Sequence, residues 1–421
     1  NMDIEAVAKT VSGWTHTVKD AKSLADSVFD AVRSSKSSGD PLHNRVSTLI
    51  VPHDFAYEES VQSSWVHRSV KSSFDGAEKF IKGCADALRS SPRGKKAIYV
   101  SGSATISENG NFQALGRIAS AVGAKLLVES VFSRVDRGVG MPHAVRLPYF
   151  PEDALRELSK YDILLCVDAR RPVAMFGYHK GPTELISLGD DDIWDIDSST
   201  HITDAIRMLE KEVHAERIQP GKNCGGMFMC DEARPKLPSN MEAALTAVNV
   251  CKIIAHAQPR DCIIVDESIT SGGTYYDESK ACPPFSHLCL TGGAIGTGPP
   301  MSVGAAVACP DRRVINFQAD GSALYSLQAL WTQAREKLNV VTVICKNSKY
   351  AILTVELGKQ RVRSSNHAEN LTNLSNPPIN WIGLAEGFGV ACQSVKTNAQ
   401  FLSALQTALA YDGPYLIEAC F

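Results

Sequence analysis

Two polar segments stand where chemistry could take place, each directly after an apolar run. Asp320 follows the run 314–317, and Asn347 follows the run 340–345. Carboxylate and amide oxygens suit Mg²⁺, which commonly takes one or two protein ligands and fills its other positions with phosphate and water. The pattern therefore indicates a magnesium and diphosphate site. The alternative is that Asp-Gly and Asn-Ser are ordinary turn formers at strand ends.

Three neighbouring segments strengthen the interpretation as an anion site. Gly321 and Ser322 open a helix predicted over 323–334, and the N–H groups of a helix start attract phosphate oxygens. The glycine-rich segment 291–300 follows another apolar run, where a backbone must turn tightly or approach a ligand. Segment 266–271 follows a fourth run and offers hydroxyl groups.

The elements that must position these residues alternate between helices and strands, as in α/β proteins. Residues 76–215 alternate helix and strand patterns, and residues 241–421 do so again after a Pro- and Gly-rich linker at 216–240. Residues 1–36 are predicted as helices and 56–75 as a linker. We expect two parallel-sheet α/β domains, with the ligand at the carboxyl ends of the second sheet's strands. If strands 314–317 and 340–345 are joined by a right-handed crossover, Asp320 and Asn347 meet at one edge.

Composition excludes several classes of function. The net charge is −3, from 43 basic and 46 acidic residues, so no basic surface for nucleic acid is expected. No apolar run reaches the length of a membrane span. Twelve irregularly spaced cysteines are typical of a reducing intracellular compartment, and we expect the cytoplasm unless an organelle is targeted. A zinc site at Cys224 and Cys230 would need two further ligands.

Taken together, these segments resemble a domain of a known enzyme family. The order Gly293-Ala-Ile295-Gly, Ala319-Asp-Gly-Ser322 and then Asn347, twenty-seven positions after Asp320, resembles the diphosphate-binding domain of thiamine-diphosphate-dependent enzymes. Acetolactate synthase large subunits and benzoylformate decarboxylases are the most similar groups. The family signature is usually Gly-Asp-Gly, and Ala319 departs from it at the first position.

The resemblance implies roles for individual residues. Asp320, Asn347 and the main-chain oxygen of Lys349 would bind Mg²⁺. Gly293 would accept a hydrogen bond from the aminopyrimidine, and Ile295 would lie under the cofactor as an apolar wedge, although a core position is the alternative. The remaining candidates lie along the diphosphate (Thr270, Gly321, Ser322, Tyr350 and Ala351) or face the substrate (Ile352, Leu353 and Glu356).

The resemblance also implies what surrounds this domain. Residues 76–215 resemble the central domain, and 1–55 resemble the tail of an amino-terminal α/β pyrimidine-binding domain. We expect the catalytic glutamate to lie upstream of residue 1 and to act across a homodimer or homotetramer interface, so no catalytic residue is assigned. Some relatives bind FAD or ADP in the central domain. Tyr178, His179 and Lys180 could touch such a ligand, with a solvated loop as the alternative.

Several reactions remain open. The cofactor provides an electron sink for decarboxylation of a 2-oxo acid substrate, followed by release of an aldehyde or by carboligation. An acetolactate synthase-like reaction is the first expectation, and benzoylformate decarboxylase-like or 2-hydroxyacyl-CoA lyase-like reactions are alternatives. Acetolactate synthases carry a tryptophan where Glu356 stands here, nine positions after Asn347. An exposed helix glutamate is the other interpretation of Glu356.

Two rival classes complete the set. A dinucleotide-binding oxidoreductase would also use a strand, a glycine loop and an acidic residue. However, its GxGxxG motif opens a helix, whereas Gly293, Gly296 and Gly298 precede two prolines here. A non-catalytic cofactor-binding protein is the second rival, if the chain is complete as given.

Overall fold

The computed structural model describes residues 3–36, 46–53, 55, 77–178, 181–196, 202–221, 223–361 and 365–421. The predicted linker at 56–75 lies outside these residues. The strands are β1 Trp14–Thr17, β2 Ser47–Ile50, β3 Lys96–Val100, β4 Lys125–Val128, β5 Arg134–Arg137, β6 Val145–Arg146, β7 Ile163–Val167, β8 Ile193–Ile196, β9 Ile263–Glu267, β10 Phe285–Cys289, β11 Val314–Ala319, β12 Val340–Lys346, β13 Ala391–Val395 and β14 Tyr415–Cys420.

The helices are α1 Ile4–Lys9, α2 Leu24–Lys36, α3 Ala77–Ser90, α4 Asn111–Val122, α5 Pro151–Leu158, α6 Ile202–Glu212, α7 Ala247–Ala257, α8 Tyr275–Glu278, α9 Gly298–Ala308, α10 Asp320–Ala323, α11 Ala329–Arg335, α12 Ala351–Lys359, α13 Asn366–Thr372, α14 Trp381–Gly387 and α15 Asn398–Ala410. Helices cover both faces of the two larger sheets, while α1 and α2 contact the two-stranded sheet of β1 and β2. Within the described part of the chain, no helix combines the length and apolar content needed to cross a bilayer.

The central sheet has the order β6-β4-β3-β7-β8, and all of its pairs are parallel. Every residue of β3 and β7 is buried, which is what a parallel sheet covered on both faces requires. Ile81, Leu115 and Ile206, from α3, α4 and α6, form a core on one face. Helix α5 covers the other face with Ala154 and Leu158.

The larger sheet has the order β13-β14-β12-β11-β9-β10-β5. Neighbouring positions of β9 face opposite cores: Ile264 packs with α7 and α15, while Ile263 and Val265 pack with α9. Both predicted α/β blocks with parallel sheets are therefore confirmed. Four adjacent parallel strands, β12, β11, β9 and β10, end at the same edge of this sheet.

The amino-terminal prediction needs a correction. Residues 1–36 were expected to be helical throughout, but Trp14–Thr17 is a strand that pairs in parallel with Ser47–Ile50. Its sequence, Trp-Thr-His-Thr, is rich in aromatic and β-branched residues, and these favour a strand over a helix.

The domain division also differs at one strand. Residues 134–137 were assigned to the block 76–215, yet β5 pairs antiparallel with β10 at the edge of the second sheet. The buried Arg137 explains this placement, because its guanidinium donates to the Ser279 hydroxyl at 2.9 Å and lies 3.5 Å from the centre of the Tyr276 ring.

Two helix predictions are also wrong in detail. The helix expected over 323–334 is split into α10 and α11, because Ser326 donates its hydroxyl to the Gly296 carbonyl at 2.6 Å and ties the intervening turn to the glycine-rich loop. The sequence after Pro238 predicts a helix capped by Ser239 and running through Leu245 and Val248, but the helix begins instead at Ala247. The side chain of Thr246 caps it by accepting the N–H of Asn249 at 3.2 Å.

Candidate functional site

Asp320 lies at the carboxyl end of β11, and its side chain is 1% exposed. One carboxylate oxygen accepts the N–H of Gly321 at 2.9 Å, and the other accepts the N–H of Ser348 at 2.7 Å. Burial raises the pKa of Asp320, although these hydrogen bonds oppose the shift. Among the described residues, no Lys or Arg forms an ion pair with this carboxylate. A buried carboxylate of this kind is suited to a cation.

The loop after β12 lies directly beside Asp320. The strands β11 and β12 are in register with Ala319 opposite Cys345, so Asn347 leaves its strand at the same edge. The Asn347 amide oxygen accepts the N–H of Lys349 at 3.0 Å. The Lys349 carbonyl accepts the N–H of Ala351 at 3.0 Å. The three predicted metal ligands therefore lie at one sheet edge. Asp320 is at the end of β11, and Asn347 and the Lys349 carbonyl are on the short loop after β12.

Gly321 and Tyr350 lie in contact across this edge. A Cβ atom on Gly321 would overlap the Tyr350 ring, so the close approach depends on glycine at this position. The Ser322 hydroxyl is turned into the sheet, where it accepts from the Gln318 amide at 2.8 Å. Main-chain groups, rather than the Ser322 hydroxyl, are therefore left to face a phosphate.

The glycine-rich loop follows β10 and is held in place by hydrogen bonds to a buried carboxylate. Glu267, which is 1% exposed, accepts hydrogen bonds from the N–H groups of Gly296 and Gly298. A Cβ on Gly298 would clash with Glu267 and Gln318. Sequence reasoning missed Glu267 as a site residue. The available signal was a pair of acidic residues, Asp266 and Glu267, at the end of a strongly apolar strand.

Ile295 stands at the outer surface of the same loop. Its side chain is 40% exposed, and the core position considered as an alternative is therefore wrong. Gly293, two residues earlier, has φ 68°, a left-handed conformation that glycine adopts readily. A Cβ on Gly293 would lie 3.6 Å from the Phe176 ring, so the central domain reaches the loop at this point.

Two residues after Phe176, the central domain also contacts helix α12. The Tyr178 hydroxyl donates to the Glu356 carboxylate at 3.0 Å. Lys359, one turn further, pairs with Glu152 at 2.5 Å and lies 3.9 Å from the centre of the Phe150 ring. Burial and the bond to Glu356 raise the pKa of Tyr178, which keeps the phenol protonated as a donor.

The remaining predicted residues lie just after β9 or at the start of α12. Thr270 is exposed just after β9, and Ala351 and Ile352 are half-buried at the start of α12. Leu353 is 46% exposed. Of the residues considered for a central-domain ligand, Tyr178 instead faces Glu356, while His179 and Lys180 lie outside the described residues.

His287 has no partner spacing in the sequence that suggests a metal or a catalytic triad, and this pattern predicts a surface or capping position; that prediction is wrong. It is fully buried and joins two charged groups: its Nε2 lies 3.3 Å from the Asp266 carboxylate, and its Nδ1 lies 3.3 Å from Arg137. Burial lowers the pKa of His287 to about 4, so the ring is neutral. Because Arg137 can only donate, Nδ1 accepts and Nε2 carries the proton donated to Asp266.

Cys289 completes a compact group with Asp266 and His287, the one His/Cys/Asp/Glu group with metal-ligand spacing in the described part of the chain. Nε2 donates to Asp266, and burial raises the pKa of Cys289 to about 12, so both groups are protonated within the cluster. Together with Arg137, this group links β5, β9 and β10.

The sheet edge and its loops have counterparts among known proteins. The family description "Thiamine pyrophosphate enzyme, C-terminal TPP binding domain" matches residues 275–419. IlvX of Mycobacterium tuberculosis, which carries the name acetolactate synthase large subunit, is 35% identical over 421 residues, covering 99% of this chain and 76% of that protein. Benzoylformate decarboxylase of Pseudomonas aeruginosa is 33% identical over 189 residues, covering 44% of this chain and 35% of its own length.

Solved structures show the same fold. The thiamine diphosphate-dependent 4-hydroxybenzoylformate decarboxylase of Rhodococcus jostii RHA1 superposes with a TM-score of 0.74 at 22% identity, covering 100% of this chain and 78% of that one. The similarity to IlvX extends over almost all of this chain and three quarters of the relative, and it includes every strand end described above. The chain therefore belongs to the family of thiamine-pyrophosphate-dependent enzymes.

Proposed function

We propose that the chain binds thiamine diphosphate through Mg²⁺ at the ends of β11 and β12 and acts on a 2-oxo acid. The observation that carries the proposal is the position of Asp320, a buried carboxylate without a basic ion-pair partner among the described residues, beside the loop of Asn347 and Lys349. Oxygen donors of these three kinds, carboxylate, amide and carbonyl, are suitable for Mg²⁺ and would leave positions for diphosphate oxygens.

The residues present also fit the organic cofactor. Gly298 and Gly321 let Glu267 and Tyr350 approach the backbone closely at this sheet edge, and the exposed Ile295 is available as a support between two rings. Thiamine diphosphate, when bound, supplies the electron sink for breaking a bond next to a carbonyl. The chain's own contribution is to hold the cation with Asp320 and to fix the loop of Ile295 through Glu267.

Two reactions on a 2-oxo acid are favoured by different observations. An acetolactate synthase-like carboligation is supported by the full-length similarity to IlvX. A benzoylformate decarboxylase-like reaction is supported by aromatic side chains of the central domain near α12: the ring centroids of Tyr149 and Phe176 are 6.3 Å apart, and the Tyr178 hydroxyl donates to Glu356 on α12. Glu356 also stands where acetolactate synthases carry a tryptophan, a departure that weakens the carboligation assignment.

The assembly and the location are part of the same proposal. A homodimer or homotetramer would let a partner subunit complete the site. A reducing intracellular compartment, with the cytoplasm as the first choice, is supported by twelve cysteines that are all free thiols. Light scattering on the purified protein would measure the oligomeric state.

The cofactor is tested by calorimetry. Titration with thiamine diphosphate should give saturable heat with Mg²⁺ and none with excess EDTA, and titration with NAD should give none. Saturable binding of NAD, or none of thiamine diphosphate, would overturn the proposal.

The reaction is tested separately, with the holoenzyme and ¹³C-labelled pyruvate, benzoylformate or a 2-hydroxyacyl thioester. Acetolactate from pyruvate identifies carboligation, and benzaldehyde from benzoylformate identifies simple decarboxylation. Cleavage of the thioester alone would exclude a 2-oxo acid as the substrate.

A further inference from the structure

Two cysteines outside the cofactor site lie side by side in the segment between the sheets. Cys224 is 6% exposed, Cys230 is exposed, and both are free thiols. The two thiol groups are within hydrogen-bonding reach of each other. The Cys230 sulfur also lies 3.3 Å from the Phe228 carbonyl oxygen.

The backbone around Cys224 forms a cradle for a negative charge. The N–H groups of Gly221, Gly226 and Phe228 lie close enough to its sulfur to act as hydrogen-bond donors. Gly221 and Gly226 have φ of 86° and 79°, conformations that glycine adopts without strain. A Cβ on Gly221 would lie 3.4 Å from the Cys230 sulfur, so the glycine also leaves room for the second thiol.

These contacts distinguish Cys224 from the buried cysteines. Although burial opposes it, hydrogen bonding by the three backbone N–H groups and by Cys230 holds the pKa of Cys224 below its usual value. Burial instead raises the pKa of Cys84 and Cys262 to about 12, which leaves those thiols protonated and unreactive. The thiolate is the reactive form of cysteine toward oxidants.

We propose that Cys224 and Cys230 form an oxidation site that closes a disulfide on exposure to a peroxide. The Cys224 thiolate attacks one peroxide oxygen, the O–O bond breaks, and hydroxide leaves. The resulting sulfenic acid is attacked by the Cys230 sulfur. The S–O bond then breaks, and the oxygen leaves as water with the Cys230 proton. Two thiols supply the two electrons that reduce one peroxide to two molecules of water.

The segment that the disulfide would close is itself an inter-domain contact. Phe228 forms an antiparallel bridge with Pro142, and the Met227 and Met229 carbonyls accept the N–H groups of His143 and Gly140 at 2.7 and 2.8 Å. The ring of Phe228 packs where Gly116 has no side chain. Joining the ends of this segment would hold it against the central domain, so oxidation should raise the thermal unfolding midpoint.

A zinc site is the competing interpretation of the two thiols. It would need four ligands, and the described residues place no third His, Cys, Asp or Glu within metal-ligand distance of Cys224 and Cys230. The three N–H groups around Cys224 are donors, and donors suit an anion rather than a cation.

Peptide mapping of the unaltered protein tests the proposal directly. Both cysteines fall on one tryptic peptide, residues 223–236. After treatment with hydrogen peroxide and alkylation, we expect this peptide to be two hydrogen atoms lighter and unalkylated, while Cys309 and Cys392 stay alkylated. Loss of alkylation at 224 and 230 should be about tenfold faster than at Cys309. Equal rates, or both cysteines still alkylated, would overturn the proposal.

Three variants assign the order of events. Cys230→Ser should accumulate a dimedone-reactive sulfenic acid at position 224, and Cys224→Ser should leave Cys230 alkylated after peroxide. Cys309→Ser is the matched control and should oxidise like the unaltered protein. A sulfenic acid that forms first at Cys230 would show that the assignment of the attacking thiol is wrong.

Discussion

The carboxylate of Asp320 accepts the backbone N–H of Ser348 at 2.7 Å, so a single side chain joins the end of β11 to the loop that follows β12. Asn347 and Lys349 flank the residue that donates this bond. The arrangement therefore fixes the distance between the three proposed cation ligands before any ligand arrives. Such preorganisation lowers the entropy that binding must overcome.

Replacing Asp320 tests the cation site. Asp320→Ala should weaken magnesium-dependent binding of thiamine diphosphate by more than about 100-fold, because the cation loses its only charged protein ligand. Calorimetry measures this, with Asp320→Asn as a variant of the same shape. Asp311→Ala is the control, since Asp311 is an exposed aspartate outside the site. Unchanged affinity in Asp320→Ala would remove the site assignment.

Replacing Ile295 separates cofactor binding from turnover. Ile295→Ala should leave the free energy of unfolding within about 0.5 kcal/mol, because the side chain is 40% exposed. It should retain binding of thiamine diphosphate and reduce kcat on the order of 100-fold, since a displaced ring is no longer held for reaction. Val307→Ala, on α9 and 62% exposed, is the control. Normal kcat in Ile295→Ala would exclude the wedge role.

Glu267 gives a prediction about pH. Burial raises the pKa of Glu267 above 4.5, although the N–H groups of Gly296 and Gly298 oppose the shift. Between the unfolded and the folded pKa, the folded state holds the proton more tightly than the unfolded state does. The contribution of Glu267 to stability is therefore fully present below the unfolded pKa, and it is lost as the pH rises through the folded pKa.

Glu267→Gln should remove that part of the pH dependence. We would measure urea unfolding of both proteins from about pH 4 to about pH 7 and plot the difference in free energy of unfolding. As the pH rises, the free energy of unfolding of Glu267→Gln should increase relative to that of the unaltered protein. Glu242→Gln, at an exposed carboxylate, should give a flat difference. A flat line for Glu267→Gln as well would contradict the raised pKa.

His287 gives a prediction about stability. His287→Ala should lower the free energy of unfolding by about 3 to 5 kcal/mol, because it leaves Asp266 and Arg137 buried without the ring that connects them. Urea unfolding measures the change, and His367→Ala, at an exposed histidine, should change it by less than about 0.5 kcal/mol. A small effect at His287 would show that the cluster relaxes or admits water.

The sequence predicted the strand ends well because they depend on local patterns. Apolar runs that stop at Asp320 and Asn347 specify parallel strands and their edge, and the glycines mark the loop of Ile295. Glu267 and His287 were not predicted, since nothing in the local pattern shows that a polar side chain will be enclosed by distant segments. The strand at 134–137 was misassigned for the same reason, because its partner lies about 150 positions later in the chain.

That antiparallel strand determines how the molecule can be divided. A protein starting near residue 241 would lack β5, leaving β10 as an unprotected sheet margin and Asp266 and His287 without Arg137. An unpaired edge strand can form hydrogen bonds with the edge strand of another copy of the protein, which leads to aggregation. Excised in this way, the cofactor-binding half should aggregate, and in the intact chain both halves should melt in one cooperative step.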